Sequence, residues 1–347
     1  MHLQQAITRG RMSSDWIYIN GEMCIKCGIC EMVCPSQLSA LRSLDLDRSR
    51  VTPEEIVNCT TCNRCVASCP RGVPITKAIE RMRHPISTPG YSETMTNISK
   101  YGTSIIPDRP TKVDPRNCKV AYFAGCLTNH RLTGISEAVE FTLTYMGVDY
   151  TRIPEVCCGS PLNRIGRFDL AEKMLGKNVD TLRAYGVETV VTSCPGCTST
   201  FLEYQEDFEV LHYLDLYDHY HISSDIGRQK GLATLQFPCH LYRNVSPYTM
   251  VVAEEILSKM YDYIRLPDAD RCCGAGGGVR RNDLMLSRKL KARKIDDIKV
   301  ISPDVVAGVC PQCKIHLSEE VPEMADLSVL VAMGLGFIPT GSGSPRV

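Results

Sequence analysis

Ten of the 19 cysteines fall between Cys126 and Cys313, and they form one pattern written twice. The first copy is Cys126, then Cys157-Cys158-Gly159, then Cys194-Pro195-Gly196-Cys197. The second is Cys239, then Cys272-Cys273-Gly274, then Cys310-Pro311-Gln312-Cys313, with nearly equal gaps. The lead-in repeats as well: Asp149-Tyr150-Thr151-Arg152-Ile153-Pro154 and Asp262-Tyr263-Ile264-Arg265-Leu266-Pro267 both run toward the paired cysteines. Thiols at this density either cross-link a chain or ligate metal. Disulfide frameworks go with short exported chains, whereas C-x-x-C groups offer two sulfurs to one metal centre. Five thiols per copy exceed the four that a tetrahedral ion takes.

A second doubled pattern precedes the first. Cys24-x2-Cys27-x2-Cys30-x3-Cys34-Pro35 is followed by Cys59-x2-Cys62-x2-Cys65-x3-Cys69-Pro70. This is the bacterial ferredoxin run, in which three close cysteines wrap one [4Fe–4S] cubane and the fourth reaches the other. The spacing assigns Cys24, Cys27, Cys30 and Cys69 to one cubane, and Cys59, Cys62, Cys65 and Cys34 to the second. Paired zinc knuckles are the bland alternative, which two identical four-cysteine runs disfavour.

In the later pattern, neighbours such as Cys157 and Cys158 cannot easily serve two far corners of one cube. They can bridge adjacent irons of a more open cluster, with Cys126 and the C-P-x-C pair holding the rest. Gly159 and Gly274 are expected to let backbone N–H groups approach the cofactor sulfur. A structural zinc plus a spare thiol is the bland reading of each copy. Only the second copy continues into a glycine-rich loop, Gly274-Ala275-Gly276-Gly277-Gly278, then Arg280 and Arg281. Such a loop, with Gly276 at its centre, can offer N–H donors to an anion, and Arg280 can add charge. It is equally read as clearance for a cluster. His240, directly after Cys239, is a candidate proton donor or a ligand-orienting neighbour of the cluster. Cys118 has no counterpart and reads as a bystander, and His212, His219 and His221 read as packing residues.

The elements that position these groups alternate. Strands are expected at 119–124, 188–193, 232–238 and 304–309, and helices at 135–146, 170–185, 251–260 and 284–298. Such β/α alternation predicts parallel sheets flanked by helices, with the cysteines at the carboxyl edge of each sheet. The duplication predicts two pseudo-twofold related α/β lobes facing one cleft, with Glu209–His221 crossing between them. Short helical pieces are expected at 38–46 and 53–57, a helix at 75–83, and a short strand at Trp16–Ile19. The divisions are 1–85 for a small helical two-cluster ferredoxin-like domain, 86–117 for an irregular linker, 118–221 for the first lobe and 222–347 for the second.

Charge is balanced, 39 basic against 39 acidic residues in 347, so no nucleic-acid-binding face is implied. Met1–Asp15 is polar and lacks an apolar export core, which predicts a cytoplasmic protein. The most apolar run, Ser328–Pro339, is too short to span a bilayer, so no direct membrane insertion is expected. The glycine-rich loop is not a dinucleotide fingerprint, so neither flavin nor NAD is expected on this chain.

The doubled Cys–CCG–CPxC pattern resembles the CCG-domain iron–sulfur proteins, whose reference members are components of heterodisulfide reductase. The order, ferredoxin block then two CCG lobes, is similar to the fused, D-type component of that enzyme. The resemblance covers about Gly21 to Ala332. It implies a noncubane [4Fe–4S] cluster on Cys126, Cys157, Cys158, Cys194 and Cys197, and another on Cys239, Cys272, Cys273, Cys310 and Cys313. It further implies a small-molecule disulfide substrate, such as the coenzyme M–coenzyme B heterodisulfide, reduced between the two clusters. Electrons would arrive through the cubanes from a flavoprotein or a membrane cytochrome b partner, through which any membrane association would be made. The same order occurs in iron–sulfur subunits of glycolate, lactate and glycerol-3-phosphate oxidation complexes, which conduct electrons to quinone. Completeness of both five-cysteine sets favours the reductase.

Overall fold

The computed structural model describes residues 23–38, 51–204 and 207–338. The short β-branched runs form two four-stranded sheets. The first contains β1 (Val120–Phe123), β2 (Tyr150–Thr151), β3 (Thr189–Thr192) and β4 (Glu209–His212) in the order β2-β1-β3-β4. The second contains β5 (Leu232–Gln236), β6 (Asp262–Tyr263), β7 (Val305–Gly308) and β8 (Met324–Asp326) in the order β6-β5-β7-β8. Every pairing is parallel. Parallel neighbours need long crossovers, and the helices Thr133–Tyr145, Phe168–Ala184, Tyr248–Met260 and Leu284–Ile301 supply them. The expected central strands and crossover helices are therefore present, and the fold is α/β with two lobes of identical topology.

That topology decides where chemistry can sit. In each sheet the first strand lies beside the third, so successive connections leave in opposite directions and open a crevice at the carboxyl ends of β1 and β3, or β5 and β7. Cys126 and Cys194 follow β1 and β3; Cys239 and Cys310 follow β5 and β7. The cysteine sets thus stand at the two topological switch points.

The lobes share one core. Tyr122, Val191, Tyr213 and Tyr217 of the first pack in one cluster with Leu235, Ala253, Val306 and Leu330 of the second. The segment Glu209–His221, expected to cross between lobes, instead supplies β4 and the helix Tyr213–His219. The helix Leu327–Gly334 is its counterpart after β8. His212 and Asp326 hold equivalent N-cap positions, and the Tyr213 hydroxyl donates to Asp326 Oδ1 at 3.4 Å across the interface. The apolar run near the C-terminus is this second helix, packed on Thr133–Tyr145. No helix among the described residues is long and apolar enough to cross a membrane.

The expected linker 86–117 is not irregular throughout. Pro89–Tyr101 is a 13-residue helix. Thr88 accepts from the Tyr91 N–H at 3.1 Å, Pro89 occupies the first turn, and Gly102 closes the helix with φ 70°. Tyr91 is fully buried, so this helix is packed rather than draped. The ferredoxin-like block is built from Ile29–Met32, Pro53–Val57, Arg64–Ala67 and Ile75–Met82 around a small core that includes Cys59, Cys65 and Ile79. The expected strand at Trp16–Ile19 and most of the helical piece 38–46 lie outside the described residues.

Candidate functional site

Local sequence explains how each thiol is aimed. Cys194 and Cys310 are extended N-cap residues, each followed by proline in the first helical turn, and Cys197 and Cys313 lie in that turn. Proline costs nothing there because its missing N–H would be unpaired anyway. The Cys194 thiol is held below its ordinary value by the neighbouring Cys197, with the Cys197 and Gly196 N–H groups adding to it against burial, whereas Cys197 and Cys313 are raised by the neighbouring thiols and burial. The glycine after each pair is left-handed, Gly159 at φ 90° and Gly274 at φ 88°. A Cβ would come within 2.6 Å of the Ala171 carbonyl oxygen or 2.7 Å of the Ser287 carbonyl oxygen. Backbone geometry and the neighbouring helix therefore demand glycine. In the second lobe the Gly274 N–H also donates to Cys272 Sγ at 3.4 Å.

The five sulfurs of each lobe form a row. Cys126 meets Cys157, which meets Cys158; Cys158 meets Cys197, and Cys197 meets Cys194. The second lobe repeats the order as Cys239, Cys272, Cys273, Cys313, Cys310, with Cys273 and Cys313 sulfurs 3.3 Å apart. Among the described residues no three His, Cys, Asp or Glu side chains close on the position of a single metal ion. A row of five buried or half-buried thiols suits an extended polynuclear centre better than one tetrahedral zinc.

The dicluster cysteines also sort into groups. One small pocket is lined by Cys34, Cys59, Cys62 and Cys65 together with Thr60, Asn63 and Thr76. These are the four cysteines the spacing put in one cubane, and four thiols around one small cavity fit such a group. Burial pushes the Cys59 thiol up to about 12, with the Arg83 guanidinium opposing. Cys30 is raised by burial, with Glu31, Cys24 and Cys27 adding to it, so these three thiols lie near one another. Cys69 packs against the same small core.

The two systems meet at one point. Cys62 contacts Cys272, and Cys62, Cys239 and Cys272 are buried together. The second-lobe side of this junction is polar. Arg243, in a π-helical turn just after Cys239, donates to the Cys62 carbonyl at 2.9 Å and pairs with Asp270. The Asn63 amide donates to Asn244 at 2.5 Å, and Arg64 pairs with Asp268 at 3.1 Å. The lobes also face each other here. Pro195–Phe201 packs on Leu241–Val245, and Pro311–Leu317 packs on Cys126–His130.

The glycine-rich loop lies against the dicluster block. A Cβ on Gly276 would stand 2.9 Å from the Thr60 carbonyl oxygen, and one on Gly277 (φ 63°) would fall inside contact distance of the Cys59 carbonyl oxygen. The room these glycines leave is filled by dicluster backbone and not by an anion. Arg280 pairs with Glu319, and Arg281 with Glu93. Gly277→Ala should therefore destabilise the chain by more than the ~1–2 kcal/mol of a left-handed alanine. Gly72→Ala, at φ 63° in open space, should show only that strain. Thermal denaturation of both variants checks this, and equal losses would remove the docking role of Gly277.

His240 is half-buried beside Cys239, its Nδ1 3.6 Å from the sulfur, and its buried Nε2 has no partner among the described residues. Burial, with Arg164, Arg243 and Lys77 adding to it, drives its pKa well below the usual value. Cys118 donates to the Asp149 carbonyl, away from the rows.

Sequence reasoning missed three groups. Glu155 accepts from the Gly125 N–H at 2.9 Å and from Asn129, which fixes the turn bearing Cys126. Arg152 holds Glu155 and Glu140 at 1 % exposure. Arg83 lies at the meeting of all three units. The Arg152 lead-in repeats as Arg265, and that was the available signal.

Comparison with known proteins defines the class first. The 4Fe-4S dicluster domain matches residues 23–73, and the CCG cysteine-rich domain matches 120–202 and again 233–318. An uncharacterized iron–sulfur protein of Methanocaldococcus jannaschii is 33% identical, over 86% of this chain and 68% of that one. The D-type component of the dihydromethanophenazine:CoB–CoM heterodisulfide reductase of Methanosarcina acetivorans is 27% identical, over 82% of this chain and 79% of its own length. The B-type component of the fumarate reductase (CoM/CoB) of Methanothermobacter marburgensis is 26% identical, over 80% of this chain and 60% of that one. The chain thus spans about two thirds of the first relative. It belongs to the iron–sulfur proteins related to the D-type component of heterodisulfide reductase, in which a dicluster domain precedes two CCG domains.

Proposed function

We propose that this chain reduces a small-molecule disulfide to two thiols in the cleft between its lobes, taking electrons through its dicluster domain. The observation that carries the reading is the pair of complete, identically ordered five-cysteine rows at two facing switch points, one of them touching Cys62. Cys34, Cys59, Cys62 and Cys65 would hold one cubane, and Cys24, Cys27, Cys30 and Cys69 the other. Each five-cysteine row would hold a noncubane [4Fe–4S] cluster. Iron–sulfur clusters, when bound, pass electrons singly, and a disulfide takes two electrons and two protons.

The chain's own residues supply the remainder. The N–H groups of Gly274, beside Cys272, and of Gly196 and Cys197, beside Cys194, aim and stabilise the ligand sulfurs. Separate apolar clusters, one around Cys158 and Cys197 and the other around Cys273 and Cys313, keep bulk water from the rows. His240, with Nε2 unpartnered among the described residues, is placed to hold a hydrogen bond at the second row and to relay a proton from solvent. Arg280 enters this reading by exchanging Glu319 for an anionic group of the substrate. The coenzyme M–coenzyme B heterodisulfide is the proposed substrate class, since CoM and CoB stand in the names of two relatives. A flavoprotein or a membrane cytochrome b would be the electron donor.

An anaerobic assay tests this. The iron-loaded chain should oxidise a reduced viologen dye when a low-molecular-weight disulfide is added, and Cys126→Ser should stop it. Dye oxidation by a quinone analogue but by no disulfide would instead support an electron conduit.

A further inference from the structure

A buried charge with no counter-ion singles out Arg83. The residue is 0 % exposed, and a guanidinium keeps its proton under all ordinary conditions. It donates to five carbonyls. Nε and Nη2 reach Ile56 at 2.9 and 2.8 Å, and Nη2 also reaches Val57 at 3.0 Å and Cys59 at 2.5 Å. Nη1 reaches Arg164 of the first lobe at 2.7 Å and Gly277 of the second at 2.8 Å. One side chain thus ties the dicluster block to both lobes.

Every acceptor is a neutral carbonyl. Of the half-buried guanidiniums around it, Arg164 pairs with Glu80 and Arg243 with Asp270, while the less enclosed Arg167 donates to the Arg83, His84, Ile165 and Ile86 carbonyls. Arg83 has no carboxylate partner among the described residues. Carbonyl dipoles offset only part of the cost of burying a charge, so a structure that keeps one intact places an anion nearby. The neighbouring group that becomes anionic on ligating metal is the set of thiols around the pocket lined by Cys34, Cys59, Cys62 and Cys65, and Arg83 bonds the carbonyl of Cys59 itself. The other dicluster set has the opposite surroundings. Cys27 is exposed, Cys24 and Cys30 are half-buried, and Glu31 adds negative charge beside Cys30.

We propose that Arg83 is the built-in counter-charge of the metal centre held by Cys34, Cys59, Cys62 and Cys65. It is a positioning residue that raises the potential of that centre above its partner's and directs the electron toward the second lobe. The inference rests on the proposed assignment of those four cysteines to one cluster. Removing a unit charge at roughly 10 Å, in an effective dielectric of about 20, shifts a one-electron equilibrium by about tenfold. That corresponds to about 59 mV.

The test is an EPR-monitored potentiometric titration of the full, anaerobically purified, iron-loaded chain and two variants. Arg83→Gln should shift electron occupancy between the two dicluster centres about tenfold toward the exposed one. Arg83→Lys keeps the charge while losing most of the five carbonyl bonds, and should stay within about twofold of the parent. An unchanged potential in Arg83→Gln at full iron content overturns the proposal. So does a Lys variant displaced as far as the Gln variant, because lost bonds and not lost charge would then be responsible. If Arg83→Gln fails to load iron, the Lys variant decides alone: a parent-like potential supports the counter-charge, and a tenfold displacement contradicts it. A parent chain without two dicluster signals overturns the ligand assignment itself, a result distinct from either.

Discussion

Cys273→Ser is expected to abolish the proposed disulfide reduction while leaving both dicluster centres spectroscopically intact. Cys273 is the middle sulfur of the second row, in contact with Cys272 on one side and Cys313 on the other, and it is 4 % exposed. A serine hydroxyl there is a poor substitute for a soft thiolate ligand. Losing an outer neighbour of a metal ligand typically costs 10–100-fold; losing the central ligand should exceed about a hundredfold and drop the rate to background. The dicluster cavity uses Cys34, Cys59, Cys62 and Cys65 and shares no residue with that position. Cys158→Ser, the equivalent change in the first lobe, should be as damaging, because both rows must flank one substrate. Activity scored beside low-temperature EPR checks the pair. A Cys158 variant that keeps full activity would leave the first lobe a structural companion only.

Arg152→Met carries the largest expected loss of stability. The guanidinium is 1 % exposed and pairs with Glu140 and Glu155, which are 9 % and 4 % exposed. Its Nη2 also donates to Asn129 at 2.7 Å, and the group lies 5.1 Å from the Tyr122 ring centroid. Methionine fills much of the volume but leaves buried Glu155 without a cation and Glu140 with Lys112 alone. Breaking such a pair from one side costs about 3–5 kcal/mol, which lowers the melting point by roughly 6–20 °C. Glu155 also holds the Gly125 N–H next to Cys126, so iron should be lost first from the first-lobe row. Differential scanning calorimetry with iron analysis reads both effects. A melting point within about 2 °C of the parent would mean the network is relaxed by solvent.

Spacing made the repeated cysteines and the two-lobed plan legible, because a metal centre fixes which residue types recur and at what interval. The central strands were legible for a similar reason: Val120–Phe123 and Val305–Gly308 are buried on both faces and read as apolar runs. The outer strands were not. Tyr150–Thr151 and Asp262–Tyr263 are two residues long and carry no period to detect. Pro89–Tyr101 was hidden by its Ser, Thr and Gly content, although Thr88-Pro89 and Gly102 are ordinary helix boundaries. The glycine-rich loop was read as an anion cradle or as clearance for a cluster, because local sequence cannot reveal that Cys59 and Thr60, far earlier in the chain, press against it. Arg83 was unreadable for the same reason, since its acceptors lie in three separate segments.

Whether disulfide chemistry takes place on this chain is decided by one anaerobic experiment: iron and sulfide content, followed by EPR with and without an added thiol under oxidising conditions. About sixteen irons per chain are expected, with a new paramagnetic signal that appears only with a particular thiol, as when half of a disulfide is held at a five-cysteine row. About eight irons, or a full complement with no thiol-dependent signal, would contradict that and leave the chain a conductor of electrons rather than the seat of disulfide chemistry.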